Sequence, residues 1–125
     1  MARIVVVDED KYIRQLYYAE FSEMGYEVFT AAAGFELSVQ CDRSRPDVIV
    51  LDIKMGDFEG VRLLQKIRSF APGIPVVVCS VYDFGRKDTG RPAADRFVVK
   101  SFDLTRLKAE VESALQSRTP LLEAV

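Results

Sequence analysis

The sequence predicts an α/β domain in three layers, a doubly wound parallel sheet with helices on both faces. The runs Ile4-Val5-Val6-Val7, Val48-Ile49-Val50-Leu51, Val76-Val77-Val78-Cys79 and Phe97-Val98-Val99 lack the alternation of a half-exposed strand. Short unbroken runs of this kind are strands buried on both faces, as in parallel sheets. Segments with helical apolar spacing separate them, and strands alternating with helices imply right-handed crossovers. Each strand also ends in a chemically active residue: Asp8, Asp52, Ser80 and Lys100.

Taken in order, the first strand leads into Asp8-Glu9-Asp10. A helix follows, with apolar positions Ile13, Leu16, Tyr17, Phe21 and Met24 and with Gly25 placed to end it. Tyr26 to Thr30 alternates apolar and polar residues, as a shorter strand near the sheet edge would. A brief helix is expected over Phe35 to Cys41. The turn signal Arg45-Pro46 then opens the central strand, which ends at Asp52, with Gly56 beyond it. Leu63, Leu64 and Ile67 mark a helix ending near Pro72-Gly73, and Pro75 precedes the next strand. Leu104, Leu107, Val111, Ala114 and Leu115 make a closing amphipathic helix. The expected organisation is one domain over residues 1–118, with a frayed tail at 119–125.

Composition narrows the chemistry. A chain of 125 residues with 49% apolar and 29% charged residues is an ordinary globule, able to bury a core without disulfides or a structural metal. A net charge of −2 gives no footprint for nucleic acid or an anionic membrane. Cys41 and Cys79 have no metal-ligand spacing and are expected as reduced core residues, which fits a cytoplasmic setting. No signal peptide is expected from Met1-Ala2-Arg3 running into a strand, and no apolar run reaches membrane-spanning length. Histidine is absent, which excludes Ser-His-Asp and Cys-His nucleophiles, His-liganded zinc and phosphohistidine on this chain.

A parallel sheet brings the carboxyl ends of its strands to one edge, where ligands bind in such folds. Asp8, Glu9, Asp10, Asp52, Ser80 and Lys100 therefore converge from opposite ends of the chain. Each has a plainer explanation. The early acids suit a helix N-terminus, Asp52 and Ser80 suit caps, Lys100 suits an exposed strand end and Phe97 suits the core. The plainer explanations leave their convergence unaccounted for. Several carboxylates at one edge repel unless a cation screens them, and oxygen-only ligands suit Mg²⁺. A carboxylate beside Mg²⁺ can attack a phosphoryl group, with an ammonium and a hydroxyl holding its oxygens.

With these residues the chain resembles the receiver domains of two-component response regulators over nearly its whole length. The resemblance rests on Val7-Asp8-Glu9-Asp10, Asp52-Ile53-Lys54-Met55 through Gly60, Cys79-Ser80 and Phe97-Val98-Val99-Lys100. Met24-Gly25-Tyr26-Glu27-Val28 and Phe102-Asp103-Leu104 read the same way. The resemblance implies a flavodoxin-like five-stranded sheet of order 2-1-3-4-5, the order already characteristic of this family. It implies Asp52 as phosphoacceptor, Lys100 as phosphoryl contact, Ser80 as switch hydroxyl and Phe97 as switch aromatic. Mg²⁺ would be held by Asp8, Glu9, Asp52 and the backbone carbonyl of Lys54. The implied partners are a histidine kinase or phosphotransfer protein and a downstream protein, with the chain a monomer or a phosphorylation-dependent dimer. Such a domain is not an enzyme; it assists only its own phosphorylation and dephosphorylation.

Several positions depart from the family pattern. Ser101 replaces a proline that normally follows the lysine through a cis bond, and a cis bond before serine costs about 3 kcal/mol, so a trans bond is expected. Gly56 replaces a proline, and a looser loop beside Asp52 is expected. Gly85, Gly90 and Pro92 predict a short or irregular helix between the fourth and fifth strands. Val81, where Ala or Gly is usual, is expected to narrow access to Asp52. These departures keep a degenerate, phosphorylation-independent adaptor as the alternative function. A flavin-binding protein of similar topology is disfavoured, because Asp8-Glu9-Asp10 would repel a phosphate.

Overall fold

The computed structural model describes residues 1–52, 58–80, 96–101 and 103–123. The order is β1 (Arg3–Val7), α1 (Lys11–Glu23), β2 (Glu27–Ala31), α2 (Gly34–Ser44), β3 (Val48–Asp52), α3 (Phe58–Phe70), β4 (Val76–Ser80), β5 (Arg96–Val99) and α4 (Thr105–Glu123). The strands form one parallel sheet in the order β2-β1-β3-β4-β5, as expected.

Strand alternation divides the core into two faces. Ile4, Val6, Val48, Val50, Val77, Cys79 and Val98 pack with Tyr17 and Phe21 of α1 and with Leu107, Val111 and Ala114 of α4. The intervening residues Val5, Val7, Ile49, Leu51, Val76 and Val78 pack with Leu37 and Cys41 of α2 and with Leu64 and Ile67 of α3. Side chains alternate across a strand, so a strand buried on both faces must be apolar at successive positions. That is why the runs of β1, β3 and β4 are unbroken; β5 differs from the expectation, because it is an edge strand with Phe97 half-buried and Val99 exposed. Cys41 and Cys79 are buried and free, as the sequence indicates.

Helix ends explain where the observed limits move. Asp10 caps α1, accepting from the Tyr12 N–H at 2.8 Å. At the other end the Tyr26 N–H bonds to the Phe21 carbonyl and the Gly25 N–H to that of Ser22, while Gly25 adopts φ 93°. This paired termination needs a left-handed residue, which glycine supplies, and it is closed by an apolar contact between Tyr26 and Phe21. Tyr26 is thus committed to the helix end, and β2 starts at Glu27 instead.

Helix α2 is longer than its pattern predicts. It begins at Gly34 with no side-chain cap from Ala33, and Glu36 reaches back to the Ala32 N–H at 2.7 Å. It ends on Arg45 at φ 49°, a left-handed residue that is not glycine and so gives no stop signal in sequence. Helix α4 continues to Glu123, past the onset of the expected tail. Among its described side chains the last buried one is Ala114, so the apolar stripe stops before the backbone does. The expected irregular helix over 83–94, Val81 and the Gly56 loop lie outside the described residues. Every peptide bond among the described residues is trans, including Lys100–Ser101.

Phe21 is fully buried and touches both Tyr17 and Tyr26. Phe21→Ala should lower unfolding free energy by about 3–5 kcal/mol, whereas Tyr12→Ala, on an exposed ring, should change it by less than about 0.5 kcal/mol. Urea unfolding of both variants checks the contrast.

Candidate functional site

The sheet's hydrogen bonding sets the site. Asp52 is the last residue of β3 and Ser80 the last of β4, in register with Val99. Asp8 and Lys100 each stand one residue beyond their strands but keep the ladder. The Asp8 N–H bonds to the Ala31 carbonyl at 3.1 Å, and the Lys100 N–H to the Ser80 carbonyl at 2.6 Å.

Alternation then decides which way each side chain faces. Asp8 follows Ile4 and Val6, Asp52 follows Val48 and Val50, and Lys100 follows Val98, all on the face covered by α1 and α4. Ser80 and Phe97 share the opposite alternation, and Phe97 packs half-buried against the α2 and α3 face. Strands lie about 4.8 Å apart, so β1 and β5, with two strands between them, are separated by roughly 14 Å of sheet. Only a long side chain closes such a gap. The Lys100 Nζ reaches Asp8 Oδ2 at 2.7 Å and Asp52 Oδ1 at 2.7 Å.

The three charged groups are largely withdrawn from water, with side-chain exposures of 2% for Asp8, 11% for Asp52 and 15% for Lys100. Burial by itself would push the Lys100 pKa down. Hydrogen bonds and charge from Asp52 and Asp8 outweigh it, and the ammonium is held above its usual range. Cys79 lies on the same face and feels all three charges. Burial dominates there and pushes its thiol up to about 12. Tyr17 lies beneath the same group, and its phenol is also raised, chiefly by burial.

Two carboxylates against one ammonium leave the group at net −1. Unit charges about 4 Å apart at a dielectric near 20 interact by about 4 kcal/mol, so a further cation would be welcome here. The donors are all oxygens, which fits a hard divalent ion such as Mg²⁺. Glu9 lies at the exposed rim. Among the described residues no three acidic, cysteine or histidine side chains are gathered closely enough to form a ready-made metal cage. Lys54 lies outside the described residues.

The structure therefore brings together Asp8, Asp52 and Lys100, places Ser80 and Phe97 on the opposite face, and uses Asp10 as a helix cap. Sequence reasoning missed Tyr17 and Cys79 as the underside of the site. Strand parity was the available signal, since Cys79 aligns with Asp52. It also missed Arg14, whose Nη1 donates to the Asp8 carbonyl at 2.6 Å.

Residues 4–112 match the response regulator receiver domain family, and the chain belongs to it. Response regulator MprA from Mycobacterium leprae (strain TN) is 32% identical over 120 residues, covering 94% of this chain and 53% of that protein. The chain thus spans about half the length of such curated relatives. The crystal structure of response regulator TrrA from Thermotoga maritima with Mg²⁺-BeF superposes with a TM-score of 0.80 at 36% identity, covering 92% of this chain and 100% of that one. TrrA in complex with histidine kinase ThkA matches with the same TM-score and identity, covering 92% and 99%.

The Lys100 contacts imply a pH dependence. Folding raises its pKa above the usual 10.5, so the folded chain keeps a proton that the unfolded chain gives up. The associated stabilisation is complete below that value and is lost as pH rises above it. Between about pH 10 and 11.5, the wild type should lose stability more steeply than Lys100→Met. Parallel slopes in urea unfolding would contradict the contact.

Proposed function

We propose that this receiver domain accepts a phosphoryl group on Asp52 from a histidine kinase or phosphotransfer protein, in a Mg²⁺-dependent reaction, and that the phosphorylated state alters binding of a downstream protein. The observation that carries this reading is the single ammonium of Lys100, 2.7 Å from both Asp8 and Asp52. TrrA, crystallised with Mg²⁺-BeF and with its kinase, supports the cofactor and the type of donor.

In the proposed reaction an Asp52 carboxylate oxygen attacks the phosphorus of a phosphohistidine. The P–O bond forms as the P–N bond breaks, and the imidazole leaves with the electron pair. Lys100 pairs with the phosphoryl oxygens, and its contact to Asp8 keeps it at the strand ends as its bond to Asp52 is exchanged. Ser80, which lies on the opposite face at the end of β4, turns its hydroxyl to the same oxygens in the phosphorylated state. Asp8, Glu9, Asp52 and the Lys54 carbonyl are the groups that would hold Mg²⁺, which supplies charge neutralisation when bound. The chain is a phosphoacceptor and not an enzyme acting on other molecules.

Phosphorylation adds up to two negative charges and three acceptor oxygens. A differential of about 3 kcal/mol between two loop arrangements changes their ratio more than a hundredfold. Ser80 and Phe97 share one face of the sheet, which supports Phe97 as the aromatic that follows Ser80. The unit is residues 1–118 with 119–125 as a tail, working in the cytoplasm as a monomer or a phosphorylation-dependent dimer. No helix among the described residues is long and apolar enough to cross a membrane. The contact between Asp52 and Lys100 weighs against a phosphorylation-independent adaptor.

Incubation with a small acyl phosphate and Mg²⁺, followed by intact mass, should give one phosphoryl adduct. Asp52→Asn or chelation of the metal should abolish it. An adduct that persists in Asp52→Asn, or none in the wild type, would sink the assignment.

A further inference from the structure

We infer that Arg14 is a positioning residue for the acidic pocket: its guanidinium fixes the turn that presents Asp8 and Glu9, and with it the affinity for a divalent cation. This rests on the proposed use of Mg²⁺ at Asp8 and Asp52.

Asp8 is tied at four points. Its N–H bonds to the Ala31 carbonyl and its Oδ1 accepts from the Asp10 N–H at 2.9 Å. Its Oδ2 meets Lys100, and its carbonyl accepts from Arg14. The first two partners are backbone and the third belongs to the site. Arg14 is the side chain brought in from the helix to hold the peptide between Asp8 and Glu9, the bond about which a strand must turn to become a helix.

The residue type follows from geometry. Helical side chains slant toward the N-terminus, so a long one placed one turn into α1 reaches back over the turn preceding it. Its own N–H makes the first helical bond, to the Asp10 carbonyl at 3.0 Å, so the stem starts from fixed backbone. A cation in this first turn faces the positive end of the helix dipole and lies near the ion it would help to hold. On charge alone it opposes Mg²⁺ binding, whereas its hydrogen bond to the Asp8 carbonyl orders the turn. Partners that orient metal ligands contribute about 10- to 100-fold in affinity.

These two effects have opposite signs, which makes the inference testable. The Mg²⁺ dissociation constant is measured by NMR titration of the folded chain, for wild type, Arg14→Gln and Arg14→Lys. If Arg14 positions the turn, both variants bind Mg²⁺ about tenfold more weakly or worse, although Arg14→Gln removes a repelling charge and Arg14→Lys retains it. Tighter binding by Arg14→Gln with unchanged binding by Arg14→Lys would reduce Arg14 to a charge and overturn the inference. So would unchanged affinity in both, or loss of folding in both, which would assign it to stability. Failure of the wild type itself to bind Mg²⁺ would overturn the proposed function, and the inference with it.

Discussion

One ammonium shared between two buried carboxylates is the constraint around which this sheet edge is arranged. Lys100 neutralises one of the two charges it touches and leaves the other over, so the pocket is held together and yet is short of positive charge. Full neutralisation would have made it an inert buried salt bridge, of the kind that apolar residues often replace without loss. Leaving out the lysine would have set two carboxylates against each other in a poorly solvated cleft. The intermediate case is one in which a cation or a phosphoryl group changes the balance greatly. Everything that fixes the three groups, from strand parity to the ladder bonds beyond β1 and β5, serves that balance.

The strands were legible because burial on both faces forces successive apolar residues, a pattern that needs no knowledge of tertiary structure. The meeting of Asp8, Asp52 and Lys100 was legible for a related reason, since parallel topology allows the carboxyl ends only one edge; Ser80 ends its strand at that edge but on the opposite face. What escaped was set by short-range backbone chemistry. Arg45 ends α2 in a left-handed conformation without glycine, and Ala33 opens it without a capping side chain, so neither boundary carried its usual mark. Asp10 belongs by sequence to the acidic group and by structure to the helix cap. Three consecutive acids look equivalent until the turn divides them among a strand end, an exposed rim and a cap.

The parity that escaped notice matters more than those boundaries. The charged trio lies on the α1 and α4 side, above Tyr17 and Cys79, whereas Ser80 and Phe97 belong to the α2 and α3 side. Cys79 and Ser80 are consecutive, so one peptide of β4 joins a residue under the charges to the proposed switch hydroxyl. A close-packed strand, held by neighbours on both faces, deforms little and passes strain on instead of absorbing it. It can still end differently beyond its last ladder bond.

That last bond is the one from the Lys100 N–H to the Ser80 carbonyl, which ties the ammonium's backbone to the hydroxyl's. On the proposed reading, a phosphoryl group on Asp52 pulls on both residues at once: on Lys100 through charge and on Ser80 through a hydrogen bond. Because the two share this peptide contact, a shift of one backbone bears on the other. On that reading the β4 and β5 ends respond together, and Phe97, three residues before Lys100 on β5 and packed on the far face, would register the outcome. Coupling of this kind needs no long chain of intermediates. It needs adjacent strand ends, one shared hydrogen bond and a charge imbalance beside them.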